Sequence, residues 1–117
     1  MPQIQRGFSE QADASGAFLF TSEPEDLPIS VKLEQYSLQT TSGCKGRQHN
    51  GQITLQRTDQ TSDPILINIT FKDCEILTGD LNLAVNHGHY QIKLLVGGFD
   101  PNEPVSGNTT LSYEFEL

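Results

Sequence analysis

The sequence predicts an all-β fold, specifically an Ig-like antiparallel β-sandwich of about seven short strands with one disulfide. Two observations carry this prediction. Apolar residues recur at every second position in most of the hydrophobic segments, and the chain contains two cysteines. No segment sustains the period of a helix. With 117 residues, the chain is long enough for one hydrophobic core and too short for two independent ones.

Several segments carry the two-residue period. Their apolar sets begin at Ile29, Ile53, Ile65, Leu81, Tyr90 and Leu111. In each segment, apolar side chains alternate with polar ones, as expected for an antiparallel strand with one face on the core and the other in water. Clusters of turn-forming residues separate the segments, among them TSEPEDLP at 21–28 and GGFDPNEPVSGN at 97–108. Short strands at this spacing are typical of a sandwich.

The first 22 residues differ in composition from the rest of the chain. They are mostly polar and rich in Gln, Ser and Ala, and SGAFLFTS at 15–22 is the segment with most apolar character. We therefore expect residues 1–22 to be a flexible N-terminal arm and residues 23–117 to form the β-sandwich domain.

The two cysteines, Cys44 and Cys74, lie 30 positions apart. A structural zinc site is not indicated, because there are only two cysteines and no histidines at suitable spacings. A disulfide that closes this loop would stabilise the fold by roughly 3 to 4 kcal/mol and would imply an oxidising compartment. The alternative is a pair of buried free thiols.

The charge balance limits the partners that the protein can have. The chain carries 15 acidic and 7 basic residues, for a formal net charge of −8. Such a surface repels phosphate backbones and anionic headgroups, so no nucleic acid is expected as a partner. No apolar run approaches the roughly 20 residues that span a bilayer, so no membrane span is expected.

Two of the three histidines form the motif His87-Gly88-His89, directly before an alternating segment. On a strand, both imidazoles would point to one face, a spacing that some copper and zinc sites use. Alternatively, Gly88 turns the chain and Tyr90 opens the next strand, as in the tyrosine corner of Ig-like sandwiches. The phase of the flanking apolar residues favours the corner. His87 and His89 are therefore weak metal candidates, and no cofactor is expected.

The loop CKGRQHN brings Lys45, Arg47 and His49 together in an otherwise acidic chain. These residues are candidate contacts for an anionic partner, and the alternative is a short solvated basic loop. The sequence contains no nucleophile elbow, phosphate-binding glycine loop or zincin helix. We therefore expect a protein that is not an enzyme.

The segments around the cysteines carry a resemblance to a known family. ISVKLEQYSLQTTSGC at 29–44 runs into the first cysteine, GQITLQR follows at 51–57, and PILINITFKDCE at 64–75 holds the second. At 104–117, PVSGNTTLSYEFEL joins a glycine and small polar residues to alternating apolar positions with aromatics. Over residues 29–75 and 104–117 the chain resembles a chaperone-usher fimbrial subunit, a pilin or adhesin, whose Ig-like fold ties its first two long strands by a disulfide.

The resemblance implies a structural or adhesion subunit that is secreted or held at the cell surface in a fimbrium, reached through the periplasm. It would assemble by β-strand complementation, with other subunits or a periplasmic chaperone as partners and a host protein or glycan as a further ligand. The arm of residues 1–22 would then be a donor strand. Its groove-filling side chains would come from Ala17, Phe18, Leu19 and Phe20.

Two other functions stay open from the sequence. The chain could be a secreted β-sandwich binding protein, for example a hydrolase inhibitor or a module that binds a glycan or a protein, with CKGRQHNG and GGFDPNEPVSGN as contact loops. It could also be a small metalloprotein that uses His87 and His89.

Overall fold

The computed structural model describes residues 2–115, so the last two residues of the predicted domain lie outside it. The described chain forms antiparallel β-strands. They are β1 (Gln3–Gln11), β2 (Phe18–Thr21), β3 (Glu25–Leu27), β4 (Val31–Thr40), β5 (Gln48–Arg57), β6 (Ile65–Lys72), β7 (Leu77–Val85), β8 (Gly88–Val96) and β9 (Pro104–Phe115). Among residues 2–115, no helix has the length and apolar character needed to cross a bilayer.

The strands form two sheets that pack face to face. The first sheet has the order β1-β9-β4-β7, and the second has the order β2-β8-β5-β6 with the short β3 also paired to β8. The predicted all-β antiparallel sandwich is therefore confirmed. The structure has nine strands where the sequence predicted about seven, and the additional strands lie within the first 27 residues.

The core consists of the inward-facing side chains of both sheets. Val31 and Leu33 of the first sheet and Ile53 and Leu94 of the second are completely buried. The alternation predicted for the central strands is therefore present. It is weaker on β7, an edge strand of the first sheet, where Leu83 is 36% exposed.

The N-terminal segment corrects the predicted domain boundary. Residues 1–22 were expected to form a flexible arm, but β1 pairs with β9 along its whole length, from Gln3 opposite Ser112 to Gln11 opposite Pro104. Ile4 and Phe8 of β1 are buried in the core. The segment belongs to the sandwich because it gains a complete ladder of backbone hydrogen bonds and two buried apolar side chains.

The predicted donor-strand residues Ala17–Phe20 also lie within the chain's own fold. Phe18 is buried and Phe20 packs on the core, whereas Leu19 points outward and is 56% exposed. The Phe18 ring stacks on Phe8 with ring centroids 5.5 Å apart. These aromatic side chains therefore fill the core of this chain rather than project from it.

One flank of the sandwich is closed by an ion pair between the sheets. Arg6 of β1 and Glu25 of β3 approach to 2.5 Å, with both side chains partly exposed. Arg6 faces inward at the edge of the sheet, and the carboxylate of Glu25 neutralises its charge close to solvent.

Candidate functional site

The disulfide joins two connections at one end of the sandwich. Cys44 lies between β4 and β5, Cys74 lies between β6 and β7, and their Cα atoms are 5.6 Å apart. Each of these connections passes from one sheet to the other, so the bond cross-links the two crossovers. The predicted disulfide is confirmed, and it indicates an extracellular or otherwise oxidising compartment.

A buried hydrogen-bonded pair lies next to the disulfide. His49 of β5 is fully buried, and its Nε2 is hydrogen-bonded to the Asp73 carboxylate. Its Nδ1 lies 3.0 Å from the carbonyl oxygen of Gly97, and its ring stacks on Phe99 with centroids 4.0 Å apart. Both ring nitrogens are engaged, so His49 is not available to a metal or a ligand in this conformation.

Arg47 extends this pair into a larger charged group. Its Nε donates to Asp73 Oδ2 at 2.9 Å, and its two terminal nitrogens donate to the Glu103 carboxylate at 2.7 and 2.8 Å. Lys45 donates to Asp100 at 2.8 Å at the exposed end of the group. We call Lys45, Arg47, Asp73, Asp100 and Glu103 the arginine cluster.

Each charged side chain of the arginine cluster is paired with an opposite charge in the same cluster. Burial alone would raise the pKa of Asp73, but hydrogen bonds from His49 and Arg47 outweigh burial and hold that pKa well below its usual range. The hydrogen bonds from Arg47 lower the pKa of Glu103 to about 2. The same bonds raise the pKa of Arg47. Asp73, Glu103 and Arg47 are therefore charged at neutral pH.

This geometry corrects the predicted contact loop. Arg47 and His49 point into the domain and Lys45 is paired with Asp100, so the three residues do not form an open basic surface. The acidic partners of Arg47 were not predicted from the sequence, because Asp73 and Glu103 lie 26 and 56 positions away from it. The acidic residues beside Cys74 and in the loop after β8 were the only sequence signal for them.

The His87-Gly88-His89 motif lies at the opposite end of β8 from Gly97, where the chain passes from β7 in the first sheet to β8 in the second. The Tyr90 hydroxyl donates to the carbonyl oxygen of Asn86 at 2.9 Å, which is the backbone hydrogen bond expected of a tyrosine corner. Gly88 has a φ of 155°, and a Cβ there would overlap the Arg57 guanidinium.

The histidines of this corner are both exposed, and His89 Nδ1 lies 3.7 Å from an Asp26 carboxylate oxygen. Within residues 2–115, no three His, Cys, Asp or Glu side chains are grouped so that they could hold a metal ion. His49 is engaged at the far end of β8. The three histidines therefore do not meet.

Most of the outer face of the first sheet presents amide and hydroxyl side chains, whereas Lys32, Asp80 and Glu114 place charges on the same face. The amide and hydroxyl side chains are Gln3, Gln5, Ser9 and Gln11 of β1, Gln35, Ser37 and Gln39 of β4, and Ser106, Asn108 and Thr110 of β9. A shallow groove of about 260 Å³ crosses this face. Its lining residues are Gln5, Ser37, Leu38, Gln39, Ile76, Asn108 and Thr110, and we call it the amide groove. From the sequence, the β1 residues of this face were expected in the flexible arm, and Ser106 and Asn108 in a turn-forming cluster.

Fold and site together define a disulfide-bonded β-sandwich with a polar, uncharged groove on one sheet. No protein-family model matches the sequence, and no curated protein matches it. The chain is similar to a chain in the structure of infectious bursal disease virus, Gx strain, with a TM-score of 0.49 and 14% identity over 94% of this chain and 32% of the viral one. The corresponding Gt strain structure gives a TM-score of 0.44 and 15% identity over 94% and 31%. The chain thus spans about a third of the viral chains, and the likeness bears on neither ligand nor activity.

Proposed function

We propose that the chain is an exported, self-contained β-sandwich module that binds a partner through its surface. The observation that carries this proposal is the pairing of β1 with β9 inside one chain. A subunit that assembles by strand complementation needs a free position beside one of its strands for the donor. In this chain β9 is hydrogen-bonded on one side to β1 and on the other to β4.

The side chains of β1 support the same proposal. A donated strand contributes alternate side chains to the core of the subunit that receives it. Ile4 and Phe8 already fill such positions in this chain, and the neighbouring Phe18 completes an aromatic cluster with Phe8 and Phe99. A second subunit is not needed to cover the inward face of β9.

Binding is proposed over catalysis because the most perturbed titratable groups are engaged with one another. Asp73 and Glu103 are both hydrogen-bonded to Arg47 within the arginine cluster. Perturbed groups of this kind are also found in purely structural ion-pair networks.

Fimbrial assembly is the second candidate, and one observation favours it. β1 is an edge strand and is joined to β2 by a turn in which Asp13 accepts hydrogen bonds from the backbone N–H groups of Ser15 and Ala17. An edge strand on such a connection can be exchanged between identical chains. Exchange would replace the pairing of β1 with β9 by the same pairing between two copies.

Cysteine trapping distinguishes the two candidates. Ser9 and Ser106 face each other across β1 and β9, with their hydroxyl oxygens 3.5 Å apart. In Ser9→Cys/Ser106→Cys, a self-contained module forms the added disulfide within one chain and migrates as a monomer on non-reducing gels. Strand exchange instead gives covalent dimers or longer ladders that increase with protein concentration.

The matched control places the two cysteine substitutions on different chains. A mixture of Ser9→Cys chains with Ser106→Cys chains, unfolded and refolded together, forms mixed disulfide-linked dimers only if β1 crosses between chains. We expect no such dimers. Their appearance would overturn the proposal in favour of strand exchange.

A further inference from the structure

We propose that the amide groove binds a neutral oligosaccharide, an inference that rests on the proposed function and names the ligand class of the module. The groove lies in the outer face of the first sheet, and none of its lining residues belongs to the arginine cluster or to the His87-Gly88-His89 corner. It is therefore distinct from the arginine cluster and from His87 and His89.

Strand register builds the groove from two neighbouring rows of side chains. In one row Thr110 lies opposite Gln5 on β1 and opposite Ser37 on β4. In the next row Asn108 lies opposite Gly7 and Gln39. Since strands lie about 4.8 Å apart and every second residue points to the same face, the two rows form one continuous polar surface.

Gly7 leaves this surface open on one side. A Cβ at this position would have Asn108 Oδ1 as its nearest neighbour, at 3.5 Å, so a larger side chain there would lie against the Asn108 amide. With glycine at this position, the amide of Asn108 is accessible from the β1 side.

The groove offers hydrogen bonds without charge. The chain has 22 charged side chains, from 15 acidic and 7 basic residues, yet none of them lines the groove. Amides supply both donors and acceptors, and hydroxyls supply either. Within residues 2–115, the side chains of Gln5, Ser37, Asn108 and Thr110 make no hydrogen bond to protein, so these groups are free for a ligand.

The side-chain amide of Gln39 has a fixed orientation in the groove. Its Nε2 donates to the carbonyl oxygen of Cys74 at 3.0 Å, which leaves its Oε1 as an acceptor. Because Cys74 is held by the disulfide, the orientation of this amide is set by the cross-linked end of the domain. A preorganised polar group loses less conformational entropy when a ligand binds.

Ile76 gives the groove an apolar rim. It follows the disulfide, immediately before β7, and is 65% exposed. Neutral sugars combine many hydroxyl groups with apolar C–H faces, and the groove combines uncharged hydrogen-bonding groups with the exposed Ile76 side chain, whereas Leu38, the other apolar lining residue, is buried. An anionic or cationic ligand would find no opposite charge in the lining, and a peptide strand would need a sheet edge rather than a sheet face.

The test uses an array of immobilised neutral oligosaccharides built from glucose, galactose, mannose and N-acetylhexosamines, with sialylated and sulfated oligosaccharides on the same surface. Asn108 begins the sequon NTT, so the protein is produced in a host that does not glycosylate it, and the native disulfide is verified by mass. We expect wild-type protein to bind at least one neutral oligosaccharide. Free oligosaccharide of the same structure should compete.

The variant Gln5→Ala/Asn108→Ala should weaken this binding by about tenfold or more, because it removes one amide from each row of the groove. The matched control is Gln52→Ala/Asn68→Ala. It removes the same two residue types from an exposed cross-strand pair on the second sheet and should bind like wild type. Equal melting temperatures of wild type and Gln5→Ala/Asn108→Ala would show that any loss arises in the groove.

The inference is overturned if no neutral oligosaccharide binds, if only charged ones bind, or if Gln5→Ala/Asn108→Ala binds as well as wild type. If Ser9→Cys/Ser106→Cys stays monomeric but the wild-type protein binds no neutral oligosaccharide on the array, the neutral-glycan assignment is rejected and the proposed function still holds. Dimers between Ser9→Cys and Ser106→Cys chains would instead reject the proposed function itself.

Discussion

The side chains of His49 and Asp73 are hydrogen-bonded to each other and are both completely buried. Asp73 also accepts hydrogen bonds from the backbone N–H groups of Lys45 and Arg47, at 3.2 and 3.1 Å. One carboxylate thus holds β5, the loop before it and the end of β6 together beside the disulfide. A buried charge with this many partners cannot be removed without leaving several donors unsatisfied.

We therefore expect Asp73→Asn to lower the free energy of unfolding by about 3 kcal/mol, since it leaves the buried end of the arginine cluster without its anion. Urea denaturation followed by circular dichroism measures this change. Asp100→Asn is the matched control, because Asp100 belongs to the same cluster but is 62% exposed, and its effect should stay within about 0.5 kcal/mol. Equal stability of Asp73→Asn and wild type would contradict the role assigned to the buried pair.

The same cluster predicts the direction in which stability depends on pH. The pKa of Glu103 is lowered from 4.5 to about 2, first of all by its hydrogen bonds from Arg47, and the pKa of Asp73 is lowered as well. A carboxyl whose folded-state pKa is depressed contributes stability that is complete above its unfolded pKa and is lost as pH falls through its folded pKa. The melting temperature should therefore decline as pH falls from about 4.5 towards 2. Glu103→Gln should reduce this decline, and an identical pH profile in that variant would count against the ion pair.

The disulfide is expected to provide a large share of the stability. Cys44→Ser/Cys74→Ser should lower the free energy of unfolding by roughly 3 to 4 kcal/mol, because the reduced chain regains the conformational freedom of the closed loop. Thermal unfolding of the purified variant measures the change. Mass spectrometry of the wild-type chain should show a loss of two hydrogens relative to the reduced chain. Two thiols that alkylate freely in the native protein would contradict the cross-link.

The N-terminal strand shows where sequence reasoning fails and why. Ile4 and Phe8 are the buried residues of β1, but Arg6 lies between them on the same inward side and is only partly exposed. That arginine interrupts the apolar alternation from which strands are recognised. It is tolerated because Glu25, 19 positions further along the chain, neutralises it at the sheet edge. β1 could therefore not be predicted from its local apolar pattern, because the arginine that interrupts the pattern forms an ion pair with a residue outside the strand.

The tyrosine corner, unlike β1, was predictable because it is built from residues that are close in the sequence. The residues that define it, Asn86, Gly88 and Tyr90, are neighbours in the sequence, and the geometry follows from local chain reversal. The arginine cluster draws its partners from three separate connections, and the amide groove draws its lining from three strands. Residues brought together only by long-range pairing carry no short-range pattern, so the sequence could identify their types but not their arrangement.

Tyr90→Phe tests the hydroxyl of the corner. We expect it to cost about 1 kcal/mol of stability, because the Asn86 carbonyl loses its donor but lies close enough to solvent to be hydrated in part. The comparison is Tyr36→Phe, since the Tyr36 hydroxyl makes no hydrogen bond to protein within residues 2–115 and should be almost neutral to lose. Urea denaturation of both variants measures the difference. Equal effects would mean that the corner hydrogen bond contributes nothing.

Gly88→Val separates the corner from a metal site. Valine at a φ of 155° is strained, and its side chain would displace Arg57, whose guanidinium carbon lies 5.5 Å from the centre of the Tyr90 ring. We expect a loss of about 2 kcal/mol, and the loss should be the same with and without added zinc or copper. His87→Asn/His89→Asn should change stability by less than about 0.5 kcal/mol, because both side chains are exposed. If the double variant instead loses a metal-dependent increase in melting temperature that the wild type shows, the metal hypothesis would replace the corner as the reason for this motif.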